Sequence, residues 1–249
     1  MGADNGDSIV RELRRLRELE RYALHARDGD IGRLRQVYFD DRDWRVRYLV
    51  VRSGNWLLGR DVLLLPDMVR SIEHERRRID IELTREQIEH APPVQDQTPV
   101  SRHYEQEFYR HYDWEPYWGG DPFFGLGDPL PLSVDDEPPR EPVDPHLRSS
   151  DEVQGYRIGA ADGEIGEVRD FIVDAAGWRI RYLDIATGPW LLGRDVLVAC
   201  PWLDAIDWST QTVTTSLARD AIEGAPPYDA NKVIGHDYEV ALYSHYGKH

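Results

Sequence analysis

The chain has 249 residues, 41% hydrophobic and 31% charged, which is enough apolar content to bury a core and too balanced a composition for a wholly disordered tail. A single cysteine, Cys200, excludes an intrachain disulfide framework and any multi-cysteine zinc site, and apolar runs such as Val62 to Leu65 fall far short of the roughly 18 residues that span a bilayer. The formal net charge of -16 argues against general binding to a phosphate backbone, which usually recruits a basic surface.

Taken in chain order, Met1 to Gly6 lacks the apolar stretch of a signal peptide and has glycine where a myristoylation signal needs Ser or Thr, so a cytoplasmic location is expected. Asp28-Gly29 is a hairpin turn by composition, since glycine reaches positive φ without steric cost. Asp41-Arg42-Asp43 marks a second turn. Trp44, Val46, Tyr48 and Val50 alternate with Arg45, Arg47, Leu49 and Val51, and Ile79, Ile81 and Leu83 alternate with Arg78, Asp80 and Glu82, the period-2 signature of strands. Thr84 followed by Gln87 forms a capping box for a short helix that Pro92-Pro93 stops. A longer helix is predicted over about Ser101 to Tyr112, with Tyr104, Phe108 and Tyr112 on one face.

Residues 113 to 146 break this pattern. Positions 113 to 145 contribute -8 to the charge and hold eight of the sixteen prolines, the composition of an extended linker. Beyond it the first segment recurs at a constant offset of 134 residues: Asp28-Gly29 as Asp162-Gly163, Trp44-Arg45 as Trp178-Arg179, Trp56 through Leu63 as Trp190 through Leu197, Ala91-Pro92-Pro93 as Ala225-Pro226-Pro227, and His111-Tyr112 as His245-Tyr246. An offset that never slips over this length implies duplication of a whole fold unit, and its period is too long for a solenoid.

The run from Tyr22 to Leu65, with Asp28-Gly29, Ile31-Gly32, Asp40, Trp44 through Val51 and Gly54 through Arg60, resembles the PRC-barrel domain, and the second copy resembles it equally. The chain is similar to bacterial proteins that carry two such barrels, each with a helical tail. The resemblance implies a mainly β fold of two small, strongly bent barrels of about six strands, spanning residues 8–112 and 147–249 and joined by the acidic linker at 113–146. It implies a docking module with no shared catalytic residues and no cofactor. The family is known from the cytoplasmic part of the photosynthetic reaction-centre H subunit and from a ribosome-maturation factor.

The candidate residues divide into two sets. Trp56, Gly59, Arg60 and Asp61, with Trp190, Gly193, Arg194 and Asp195, read as structural loops in which the glycines set the turn, the arginine and aspartate order a strand entrance, and the tryptophans plug a barrel end. Arg76, Arg77 and Arg78 have no counterpart in the second copy, which carries Thr210-Gln211-Thr212, and stand as candidate partner contacts or as a solvated hairpin. The linker aromatics Trp114, Tyr117, Trp118, Phe123 and Phe124 are the other candidates, docking either on the chain's own barrels or on another protein. His111 and His245 match, but Asp237 stands opposite His103 and no i, i+4 histidine pair carries a carboxylate, so no metal is expected. The reading is a non-catalytic protein-binding or scaffold protein with an unidentified protein partner, open to self-association. The alternatives are a barrel component of a membrane or electron-transfer assembly and a ribosome-maturation accessory.

Overall fold

The structure is a computed structural model that describes residues 12–92, 102–116, 146–188 and 194–247, so Tyr117, Trp118, Phe123, Phe124, Trp190 and Gly193 lie outside the described residues. Short turns at the expected places fold each half into hairpins. The first half runs β1 (Leu13–Arg15), α1 (Leu16–Leu19), β2 (Ala23–Ala26), β3 (Gly29–Asp40), β4 (Val46–Ser53), β5 (Asp61–Leu64), β6 (Val69–Glu73), β7 (Arg78–Ile81), α2 (Arg85–Glu89) and α3 (Arg102–His111). The second repeats the series as β8 (Leu147–Ser149), α4 (Ser150–Val153), β9 (Arg157–Ala160), β10 (Gly163–Asp174), β11 (Arg179–Thr187), β12 (Asp195–Ala199), β13 (Leu203–Asp207), β14 (Thr212–Thr215), α5 (Arg219–Glu223) and α6 (His236–His245). None of the described helices is long and apolar enough to cross a membrane.

Each half builds one sheet with the same strand order, β5-β4-β3-β2-β7-β6 in the first and β12-β11-β10-β9-β14-β13 in the second, with a seventh strand paired off that path. Bulges in β3 near Gln36 and in β10 near Asp170 bend the long central strands. Gly32 sits where β3 and β4 approach most closely: a Cβ there would lie 2.0 Å from the Arg52 carbonyl oxygen, and Gly166 stands in the same relation to Ala186. The expected closed barrels are corrected to open, strongly bent sheets. The end strands β5 and β6 are joined by a 3₁₀ turn at Pro66–Met68, and β12 and β13 by one at Cys200–Trp202, without hydrogen bonds between the strands themselves. The alternation read from Trp44 to Val51 also breaks, because Tyr48, Leu49, Val50 and Val51 are all buried. Neighbouring strand residues point to opposite faces, so four buried in a row require cover on both. Part of that cover is α3, whose Phe108 and Tyr109 meet the Tyr48 ring edge-on.

The tail helices are fixed by a repeated polar bond, as Tyr48 donates to Glu105 at 2.6 Å and Tyr182 to Glu239 at 2.5 Å. Thr84 caps α2 through the Gln87 amide, whereas Ala218 gives α5 no side-chain cap. The aspartates of the hairpin turns take part as well: Asp28 accepts from the Arg85 amide and Asp162 from the Arg219 amide, both at 2.8 Å.

The seventh strand of each sheet comes from the other half. β1 pairs with β10, Leu13 opposite Asp174, and β8 pairs with β3, Leu147 opposite Asp40, so the two exchanges are reciprocal at the repeat offset. The helical turn after each strand follows it, burying Leu16 and Leu19 in one direction and Ser150 and Val153 in the other. Between the exchanges the halves also meet at Arg45 and Arg179, where the Val46 amide donates to the Trp178 carbonyl and the Ile180 amide to the Trp44 carbonyl, both at 2.8 Å. Trp44 and Trp178 adopt positive φ there, at 61° and 46°. A bulky side chain in that region is strained, and the reciprocal bonds hold it.

The two exchanges share a backbone and differ in chemistry. Arg15 bonds Asp170 at 2.9 Å and lies 3.7 Å from Asp184, both carboxylates being wholly buried in the second sheet. At the corresponding positions of the other exchange, Ser149 bonds Gln36, and Val50 stands where Asp184 would be. Burial, with Asp195 and Asp170 nearby, pushes the Asp184 carboxyl up to about 7 against the pull of Arg15 and Arg169. Such a group keeps its proton in the folded state and loses it in the unfolded chain between about pH 4 and 7, so it makes stability fall as pH rises through that range and leaves it level above. Glu20, whose carboxyl burial also pushes up to about 7, adds to the same decline. Denaturant midpoints measured from pH 4 to 8 should show it, and Asp184→Asn should remove the part due to Asp184, a gain of up to about 4 kcal/mol at pH 8 for a shift of this size.

Candidate functional site

Because the halves meet near Arg45 and Arg179, a groove opens on each side of the junction. The first, of about 630 Å³, lies between β6 with the start of β4 and the Ala175–Trp178 turn of the other half, and is closed at one end by Tyr109 and Trp114. The second, of about 700 Å³, lies between β13 with the start of β11 and the turn at Asp41, Arg42 and Trp44, with Tyr243 in the place of Tyr109. Equivalent residues of the repeat line both, and each groove needs both halves. One wall of each is an end strand, β6 or β13, with no hydrogen-bonded neighbour on its outer side among the described residues.

Shape is shared, but charge is not. The first groove sets Arg45, Arg47 and Arg70 against Glu12, Asp67 and Glu115. The second sets Arg42, Arg148, Arg179 and Arg181 against Asp41 and Asp204, and so carries two more cations than anions even with His146 neutral. Two of its arginines are already matched: Arg42 bonds the buried Asp40 at 2.8 Å and Arg148 bonds Asp41 at 2.8 Å. The bonds from Arg42, with Arg47, hold the Asp40 carboxyl down at about 2 despite its burial. Arg179 donates only to the Asp43 carbonyl, at 2.9 Å, and Arg181 has no bonded partner among the described residues.

The arginine run lies at the β6–β7 hairpin, away from both grooves. Arg76 bonds Glu73 on the surface, and Arg77 takes φ 51°, as Gln211 takes φ 52° in the second half. Arg78 bonds the buried Asp80, which Ser71 also meets, so this member of the run serves the hairpin itself. Trp114, by contrast, is 39% exposed at the end of the first groove. Asp61 is held by Arg35 and Arg52, Asp195 by Arg169, and the Arg194 carbonyl accepts from Thr187. Gly59, at φ 71°, follows Leu58 through the turn, and Arg60 reaches the Glu89 carbonyl. Trp56 is half-buried, short of the full burial expected of a barrel plug, because its loop lies across the rim of an open sheet: its indole donates to the Ile31 carbonyl at 2.7 Å and the Arg85 guanidinium stacks on the ring. His111 and His245 lie on the Gln87 and Ala221 carbonyls, tying each tail helix to the short helix before it.

The grooves could not be found from local sequence, since each is assembled from segments more than a hundred residues apart. The available signal was the pattern Trp178-Arg179-Ile180-Arg181, an arginine at every outward position of a strand that the repeat places beside its own twin.

Two bent sheets of like order, joined by exchanged strands and flanked by helical tails, define a small β-domain architecture with grooves at its centre. Residues 147–215 match the PRC-barrel domain family, from the first residue of β8 to the last of β14. No curated protein matches the chain.

Two outcomes follow for the loops. Trp56→Ala should cost about 2 to 3 kcal/mol, below the 3 to 5 typical of a wholly buried aromatic, and Trp56→Phe about 1 kcal/mol for the lost indole bond, both read from urea midpoints. In the hairpin, Arg76→Thr and Arg77→Gln should leave the midpoint unchanged, whereas Arg78→Thr lowers it by depriving the buried Asp80 of its cation.

Proposed function

We propose that the chain is a non-catalytic protein-binding module made of two PRC-barrel units, and that its binding surfaces are the two grooves between them. The observation that carries the reading is the pair of equivalent grooves, each walled by an end strand and lined by aromatic, aliphatic and charged side chains. Two further facts support it. Residues 147–215 match a family that generally serves protein interaction, and the first half has the same strand order and the same reciprocal register as the matched half. Specificity resides where the halves differ in charge, since positions held in both are explained by the shared fold. The reaction-centre-type and ribosome-maturation readings rest on the domain resemblance alone, and no residue of the grooves speaks for either.

Crosslinking in the source cell followed by mass spectrometry tests the reading. Ser71→Arg in the first groove and Ala205→Arg in the second put a bulky charge on exposed positions of the end strands; Ala205→Arg should leave the melting temperature within about 2 °C, and Ser71→Arg, which gives up the bond to Asp80, should cost about 1 kcal/mol without unfolding the chain. At least one of them should abolish a crosslink that the unaltered protein makes. If every crosslinked protein is retained by both variants and by the two combined, the grooves are not the binding surfaces.

A further inference from the structure

The proposal that the grooves bind protein leaves open what each of them takes, and the second groove carries the chemistry to answer. We infer that it binds an extended acidic peptide segment of a partner protein, lying beside β13 with its carboxylates on Arg179 and Arg181; this rests on the protein-binding reading above. Three observations lead there.

The first is a local excess of positive charge in a strongly negative molecule. Of the four arginines in this groove, Arg42 and Arg148 are satisfied by buried or half-buried aspartates, which leaves the guanidiniums of Arg179 and Arg181 without a carboxylate. A guanidinium fork matches a carboxylate in a bidentate bond, and such charge-assisted bonds are the stronger kind. The -16 charge of the chain repels a long polyanion such as a nucleic acid, whereas a short acidic segment feels mainly the nearest charges, since screening acts over about 8 Å at physiological salt.

The second is the wall beside those arginines. β13 is the last strand of its sheet, with Asp204, Ala205 and Asp207 exposed along it, and it presents unpaired backbone groups over five residues, a length of about 17 Å. An open strand edge takes an extended peptide by main-chain hydrogen bonds, while pockets read alternate side chains. Asp204 repels a carboxylate placed against β13 itself, so the acidic side chains of the peptide are directed across the groove toward β11 and its arginines. Leu203, Ile206 and Tyr243 supply the apolar surface for the side chains between them.

The third is the twin groove, which serves as an internal control. At the positions of Arg181 and Asp204 the first groove has Arg47 and Arg70. Arg47 is spent on Asp40 and Asp43, at 3.1 and 2.9 Å, and Glu12, Asp67 and Glu115 offset the rest. Equal shape with balanced charge gives no preference for an acidic ligand.

Fluorescence anisotropy on the full chain tests the inference, with a labelled ten-residue peptide alternating glutamate with valine and phenylalanine and the same peptide with lysine for glutamate. The glutamate peptide should bind, with affinity falling as salt rises, and the lysine peptide should not. Arg181→Glu, at a side chain with no bonded partner to lose, should weaken binding about tenfold or more, Arg181→Lys should restore part of it, and Arg70→Glu in the first groove should leave it within about twofold. Absence of binding to the full chain, equal binding of the lysine peptide, or binding indifferent to Arg181→Glu each overturns the inference. Should the glutamate peptide fail while Ser71→Arg or Ala205→Arg still removes a crosslinked protein, the grooves remain binding surfaces and only the acidic ligand is wrong.

Discussion

The structure depends on a reciprocal exchange in which each half lends its opening strand and helical turn to the sheet of the other. β1 on β10 and β8 on β3 extend the long central strands on a side that would otherwise expose a row of unpaired backbone groups. The exchange also carries apolar surface with it: Leu16 and Leu19 are fully buried in the crossing, and side chains of this size stabilise by about 1.5 to 3 kcal/mol each when removed from water. Once both strands have crossed, the turns at 41–44 and 175–178 are carried across the junction, where backbone bonds between Trp44, Val46, Trp178 and Ile180 fix them. The positive φ of the two tryptophans and the position of both grooves follow from that meeting.

Much of one half can be read from residues near one another in sequence. The turns at Asp28-Gly29 and Asp41 to Asp43, the capping box at Thr84 and Gln87, and the helix ending near Tyr112 are local signals, each with a local physical cause, and they appear where their residues place them. The constant offset of 134 carried the same reading into the second half. What the sequence concealed is non-local. Nothing in Leu13-Arg14-Arg15 says that this strand belongs on Val173 rather than on its own half, because the equivalent strand of a twin offers the same pattern of hydrogen bonds. The alternation at Tyr48 to Val51 misled for a related reason, since the period-2 rule supposes one wet face and α3 helps to remove it. Trp56 looked like a plug on size alone, and only the open rim of the sheet shows why it stays half-exposed.

The duplicated backbone has left room for divergence in the side chains around it. Gln36, Val50 and Ser149 on one exchange face Asp170, Asp184 and Arg15 on the other, and a balanced groove faces a cationic one. The arginine run and the grooves illustrate how uniqueness in sequence differs from uniqueness in space. Arg76 to Arg78 occur once, yet Arg78 is engaged with Asp80 inside its own hairpin. Arg181 has a twin in Arg47, yet Gly177 stands where Asp43 bonds that twin, and Asp174, which stands where Asp40 does, makes no bond to Arg181.

The unlike polar residues at the two exchanges also bear on how the chain matures. During synthesis the first half leaves the ribosome with β3 still awaiting a strand that has not been made, and the nearest substitute is β1 of another nascent molecule. In that wrong pairing Arg15 would be placed against Gln36 and Val50 and would give up its bond to Asp170. Two second halves pairing with each other would set Ser149 against Asp170 and Asp184 and take away the Arg15 guanidinium that the two acids share. A buried polar group that loses its partner costs more than the bond itself contributes. The asymmetry therefore favours pairing of unlike halves over pairing of like with like.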